Sequence, residues 1–163
     1  MTKPTQLNKD LKTLNQLVAR VRDLEFLFRY SVHEIAALID FLVTDYGFDR
    51  DGLNARSTIE IWGEIEILQS QYGLAFDYVA AGTFEDQQAG YFRYQISYGG
   101  PSEAFRFFVD PEHNLIKAEF WLLDWFTSAS IDCTDQPTVQ AIWDHFQGTM
   151  SSFHAFRQTM ENK

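Results

Sequence analysis

Apolar residues in the first third of the chain recur at helical spacing. Leu7, Leu11, Leu14, Leu17, Val18, Val21, Leu24 and Phe28 follow one another every three or four positions, which predicts a helix over 6–29 with one apolar stripe. Lys9, Lys12, Arg20, Arg22 and Asp23 fall mostly off that stripe. The stripe can pack on the chain's own core or on a partner helix, which would make a homodimer. Ser31-Val32-His33-Glu34 has the form of a capping box and opens a second helix, about 32–46, burying Val32, Ile35, Ala36, Leu38, Ile39 and Leu42 and stopped by Gly47. Asp49-Arg50-Asp51-Gly52 reads as a turn. Over 59–72, Ile59, Ile61, Ile65 and Ile67 alternate with acids as in a strand. The capping box Ser57-Thr58-Ile59-Glu60, the spacing of Ile61, Ile65, Leu68 and Tyr72, and Gly73 as a C-cap favour a helix instead.

From residue 74 the period changes from helical to alternating. Four strands are predicted, at 74–79, 91–98, 104–109 and 115–123. Leu74, Phe76 and Tyr78 share a face of the first, Phe92, Tyr94, Ile96 and Tyr98 of the second, and Phe105, Phe107 and Val109 of the third. In the fourth, Ile116, Ala118 and Phe120 alternate with Lys117 and Glu119, and the all-apolar run Phe120–Leu123 predicts cover on both faces. Residues 80–90 read as a mobile loop. The short turns Gly99-Gly100-Pro101-Ser102 and Asp110-Pro111-Glu112-His113-Asn114 argue for an antiparallel meander. After a loop at 127–136, Pro137 introduces a helix over 138–147 bearing Val139, Ile142, Trp143 and Phe146, and a last helix is predicted over 151–160. The fold class is therefore α+β, a four-stranded antiparallel meander with N-terminal and C-terminal helices packed on it. Residues 1–163 make one domain, with a helical part at 1–56 and an α+β core at 57–163.

Composition adds a charge asymmetry. The net charge is −10. Residues 1–56 hold eight basic and eight acidic side chains, whereas 57–163 hold five and fifteen. No base interrupts the six acids between Arg56 and Arg93 or the five between Lys117 and Arg157. Such a field disfavours direct nucleic-acid binding, which needs cations on phosphate, and attracts a basic protein surface. The acids that would meet that partner are Glu60, Glu64, Glu66, Asp77, Glu85, Asp86, Asp132, Asp135 and Asp144. No apolar run reaches the length of a membrane span, no secretory leader is visible, and Cys133 is the single cysteine. Together these point to a cytoplasmic protein without membrane contact.

Reactive motifs are sparse. His33-Glu34 lacks the second His of a zinc-protease helix, since position 37 is Ala37, and His33 is expected at the surface of the first turn. Asp49–Gly52 is too short for an EF-hand loop. None of His33, His113, His145 and His154 has a metal-ligand neighbour in sequence, and no cofactor is implied. Cys133 lacks a second cysteine or a basic neighbour. Gly99-Gly100-Pro101-Ser102 is flanked by strands, and Pro101 removes an amide, so it is a structural turn rather than a phosphate cradle. Its alternative role is to present Tyr98 and Ser102 to a partner. Asp124, before Trp125 and Phe126, lies among large apolar groups and needs a partner for its carboxylate; it is a structural anchor or, failing that, a contact residue or a carboxylate with an altered pKa.

Phe76-Asp77-Tyr78-Val79, Gly82-Thr83-Phe84, the run from Gly90 to Ser102, Phe105-Arg106-Phe107 and Leu123-Asp124-Trp125-Phe126 together resemble a family of small acidic proteins carried by bacterial plasmids, integrative elements and phages. The resemblance covers roughly 73–147, with Tyr98 where many such proteins have Trp. It carries no catalytic residue. It implies a context, because accessory genes of mobile elements often blunt host defence. The leading expectation is thus a non-enzymatic protein whose carboxylates imitate phosphates on a restriction or CRISPR-type complex. A general interaction module using the aromatic sheet face or the first helix is the alternative, followed by an enzyme with an unrecognised site, which a deep polar pocket around Asp124 and a histidine would favour.

Overall fold

The computed structural model describes residues 4–99, 101–124 and 127–148. Its element order is α1 (Pro4–Phe28), a 3₁₀ turn (Tyr30–Val32), α2 (Ile35–Tyr46), α3 (Arg50–Asn54), α4 (Thr58–Tyr72), β1 (Ala75–Val79), β2 (Tyr91–Ser97), β3 (Ser102–Val109), β4 (Leu115–Asp124), β5 (Thr127–Asp132) and a helix over 137–148, here α5. The strands form one antiparallel sheet in the order β1-β2-β3-β4-β5, a meander as the short connections require. The last predicted helix, at 151–160, lies outside the described residues.

One core fills the space between the sheet and the helices α1 and α5. Phe92, Tyr94, Phe105, Phe107 and Phe120 project from the sheet against Leu17 and Leu24 of α1 and Val139, Ile142 and Trp143 of α5. A second cluster joins Leu27 of α1 to Leu38, Phe41 and Leu42 of α2, Leu53 of α3, and Ile61 and Ile65 of α4. Phe28 and Tyr72 pack against both. The expected helix over 59–72 is present, and Ser57 caps it by accepting the Glu60 N–H at 3.3 Å.

The largest departure from expectation is β5. Residues 127–132 alternate short polar and small apolar groups, too weak a pattern to announce a strand. They pair with β4 from Asp124↔Thr127 to Glu119↔Asp132 because β4 has an unpaired side that needs hydrogen bonds. Asp49–Gly52 opens a short helix instead of making a simple turn, with Asp49 Oδ2 accepting the Gly52 N–H at 2.9 Å. The Ser31 capping box does not form. Val32 and His33 donate back to the Arg29 and Tyr30 carbonyls in the 3₁₀ turn, and α2 starts later, after Glu34. Val32 is consequently exposed, at 64%. Gly47 ends α2 in the left-handed conformation, φ 73°, as expected. Gly73 does not, at φ −89°; it is required because any Cβ there would collide with the Tyr94 ring.

Other burial expectations also change. Ala36 is exposed on α2, and Ile116, expected to share a face with Ala118 and Phe120, is 56% exposed beside a bulge between Phe108 and Val109. A bulge between Gln95 and Ser97 breaks the alternation of β2, and Tyr98 leaves the sheet exposed. Leu74 is exposed just before β1. The outer side of the Phe120–Leu123 run is only partly covered, since Leu123 is 39% exposed.

Glu103 is the polar member of the inward series Glu103, Phe105 and Phe107, and it is 3% exposed. Arg20 of α1 reaches it with both Nε and Nη2, and Ser97 Oγ donates to it at 2.9 Å. Arg20 Nη1 also donates to the Tyr72 hydroxyl at 3.1 Å, which in turn donates to Asp23 at 3.1 Å. This network ties α1 to β3, β2 and α4 at one point. Removing one partner of such a pair strands the other charge in a poorly hydrated place. Glu103→Ala is expected to lower stability by about 3 kcal/mol, measured by urea unfolding. A loss under about 0.5 kcal/mol, the scale of ordinary surface substitutions, would show that the pair does not hold α1 in place.

Candidate functional site

A meander puts alternate connections at the same end of its sheet. Here the connection β1–β2, the turn β3–β4 and the segment after β5 share one end, as the Val109 N–H to Gly90 carbonyl bond of 3.1 Å requires. They bring together Glu85 and Asp86, then Asp110 and Glu112, then Asp132 and Asp135. With strands spaced about 4.8 Å apart, this acidic rim extends about 19 Å across the five strands. Lys117 is the nearest sheet cation, and it lies over the Phe108 ring and 3.6 Å from Glu119. Backbone donors keep parts of the rim charged. The Asn114 amide first, with the Glu112 amide, holds Asp110 below the usual carboxylate range, and the Thr134 amide and hydroxyl do the same for Asp132.

The 80–90 loop, expected to be mobile, is knitted together by Gln87. Its side-chain amide donates to the Ala80 and Ala89 carbonyls, both at 3.0 Å, and accepts the Phe84 N–H at 3.1 Å. The Gly82 N–H donates to the Gln87 carbonyl at 3.0 Å. Phe84 projects from this loop 59% exposed, beside Glu85 and Asp86.

Of the nine acids singled out from sequence, the fold gathers Glu85, Asp86, Asp132 and Asp135 on the rim. Glu60, Glu64 and Glu66 lie apart on α4, where Arg56 pairs with Glu64 at 2.7 Å and Tyr30 donates to Glu66 at 2.5 Å. Asp144 is exposed on α5. Asp77 is held by Arg93 in a two-pronged contact, at 3.1 and 2.6 Å. Asp110 and Glu112 were missed because their turn composition accounted for them locally. Only the strand order shows that they join the others.

The sheet's outer face is charge-balanced. One row crosses all five strands as Asp77↔Arg93↔Arg106↔Glu119↔Asp132. Arg106 lies between the Trp121 and Tyr91 rings, its guanidinium carbon 3.9 and 4.8 Å from the ring centroids. Its Nε is buried without a hydrogen-bond partner, and burial lowers its pKa. The rings contribute a cation–π attraction in place of that bond.

The motif corners meet at the opposite end of the sheet. Ser102 pairs with Leu123, next to Asp124. Ser97 Oγ lies 3.3 Å from the Pro101 carbonyl, Ser102 Oγ donates to the Gly99 carbonyl at 3.3 Å, and Gly99 has φ 97°. Gly100, Trp125 and Phe126 lie outside the described residues. Asp124 accepts from Lys12 Nζ at 2.5 Å, and its carbonyl accepts from Thr127 Oγ1 at 2.9 Å. Its carboxylate thus meets a lysine of α1 at a partly exposed position.

The histidines are dispersed. His33, expected at the surface, is only partly exposed, stacked on Phe26 and 3.3 Å from Glu25, because the 3₁₀ turn folds it back onto α1. His113 packs on Tyr78 and Phe92. His145 is exposed overall, but its contact with Phe28 and Phe146 desolvates one side and lowers its pKa. His154 lies outside the described residues. Among the described residues no three His, Cys, Asp or Glu side chains are placed to hold a metal ion, and no helix is long and apolar enough to cross a membrane.

No family model, no curated protein and no solved structure matches the chain.

Cys133 is buried at the end of β5, and burial pushes its thiol pKa up to about 12. Folding therefore favours the protonated thiol. That stability is present below the ordinary thiol value and is lost as pH rises through about 12. At pH 8 a disulfide reagent is expected to label native Cys133 at least ~100-fold more slowly than the urea-unfolded chain. Equal rates would contradict the burial.

Proposed function

We propose that the chain is a non-enzymatic accessory protein of a mobile genetic element, whose acidic rim occupies a basic nucleic-acid site on a host defence complex of the restriction or CRISPR type. The observation that carries this reading is the convergence of Glu85, Asp86, Asp110, Glu112, Asp132 and Asp135 on one sheet end. A rigid hydrogen-bonded frame spaces these charges in advance, so little ordering entropy opposes binding. Phe84 supplies an aromatic anchor amid the acids, a usual feature of binding hot spots. The resemblance of residues 73–147 to proteins of plasmids and phages supplies the biological setting. The acids of α4 and α5 steer approach at longer range instead of making the central contact.

A second reading is favoured by a separate observation, the exposed side chains Leu7, Leu11, Leu14 and Val18 on α1. On this reading the chain is an interaction module that uses an apolar helix face, and its charge serves solubility.

Affinity capture from host extract distinguishes the two. A partner bound through the rim is expected to elute at about 0.5 M salt, because screening shortens the reach of exposed charges. Neutralising Glu85, Asp86, Glu112 and Asp135 together, as Gln or Asn, should cut capture at least ~10-fold while leaving thermal unfolding unchanged. Capture that survives both high salt and neutralisation would overturn the decoy reading.

A further inference from the structure

Two features of α1 and β5 point to the same missing neighbour. Leu7, Leu11, Leu14 and Val18 follow four-three-four spacing and are 52, 48, 41 and 61% exposed. At about 100° per residue they fall within an arc of about 60° on the helix. Lys12, Arg20 and Asp23 are on the opposite side, turned to Asp124, Glu103 and Tyr72 over the middle of the sheet. Leu17 and Leu24 point down into the core. The stripe therefore looks outward, past the edge formed by β5.

That edge is open. Among the described residues, β5 pairs with β4 alone. The Cys133 N–H bonds to the Ala118 carbonyl at 2.9 Å, which sets the phase of the ladder. Alternation then directs the peptide groups of Ile131 and Ala129 to β4 and those of Ser128, Ser130 and Asp132 outward. The strand Thr-Ser-Ala-Ser-Ile-Asp has neither proline nor lysine, the common guards of an open edge.

We propose that two copies of this chain associate about a two-fold axis, with β5 pairing antiparallel to β5 and the two α1 stripes packed together above the junction. With Ser130 opposite its counterpart, Asp132 faces Ser128 of the other copy, so a carboxylate meets a hydroxyl on each side of the axis. The spacing agrees with this arrangement. α1 runs alongside β5, from Lys12 beside Asp124 to Glu25 bonded with Thr138, and packs chiefly on β5 and less on β4. Paired strands lie about 4.8 Å apart. Helices set slightly back from the edge are then about 10 Å apart, at the outer limit of ordinary helix packing. A two-fold also makes the helices antiparallel, so a single stripe is its own complement. A second copy satisfies both the apolar stripe and the open hydrogen bonds, whereas a lone partner helix would leave the strand bare.

Sedimentation equilibrium of the full chain over a concentration series tests this. The expected result is a dimer, with Leu14→Glu and Ser130→Pro each weakening association at least ~100-fold while circular dichroism stays native. Ser130→Cys supplies a check that does not depend on tolerance of either change, since mild oxidation should link two chains through residue 130. A monomeric chain at high concentration overturns the proposal, including the case in which residues 149–163 cover the stripe. A dimer that survives Ser130→Pro, and whose Ser130→Cys variant forms no disulfide between chains, overturns the continuous sheet.

Discussion

The bond that organises this molecule joins Arg20 of α1 to Glu103 of β3. Glu103 is buried almost completely, and a carboxylate in that position is tolerable only with a cation and hydrogen-bond donors around it. Arg20 and Ser97 supply them, and Tyr72 and Asp23 extend the network to α4. Apolar contact alone would let α1 slide along the aromatic layer. The ion pair restricts it to one register, with Lys12 on Asp124 at one end of the helix and Glu25 bonded to Thr138 near the other. Buried pairs of this kind add little net stability, but leaving one partner without the other is costly.

The fixed register determines how charge is divided. Lys12 and Arg20 are engaged by Asp124 and Glu103, while Arg93 is matched by Asp77 on the outer face of the sheet. Cations of the helical part are likewise taken up locally, Arg29 by Glu25, Arg50 by Asp40 and Arg56 by Glu64. The rim receives little of this compensation. Two of its carboxylates, Asp110 and Asp132, are bonded to backbone amides, and Asp132 also to the Thr134 hydroxyl, which hold them in place without cancelling their charge.

Much of the fold was legible in the sequence wherever periodicity was strong. The stripe of α1, the apolar positions of α4 and the alternation through Phe105, Phe107 and Phe120 each indicate their element. Local signals failed where tertiary demands overrode them. β5 has little strand character and exists because β4 needs a neighbour. Gly73 resembles a helix stop, yet its role is to make room for Tyr94. Ser31 resembles a cap, but the 3₁₀ turn uses the backbone donors first.

The candidate site was legible only in part. Glu103 could have been found by continuing the alternation back from Phe107, because that places an acid on the core face. The rim could not, since nothing local relates Glu85 to Glu112 or Asp135. The most direct measurement of the central claim is a two-dimensional amide NMR titration with an arginine-rich peptide at low salt. The account predicts that the largest shifts fall in 80–90, 110–114 and 132–136, and that they disappear at about 0.5 M salt. Shifts centred on α4, or spread evenly over the surface, would contradict it.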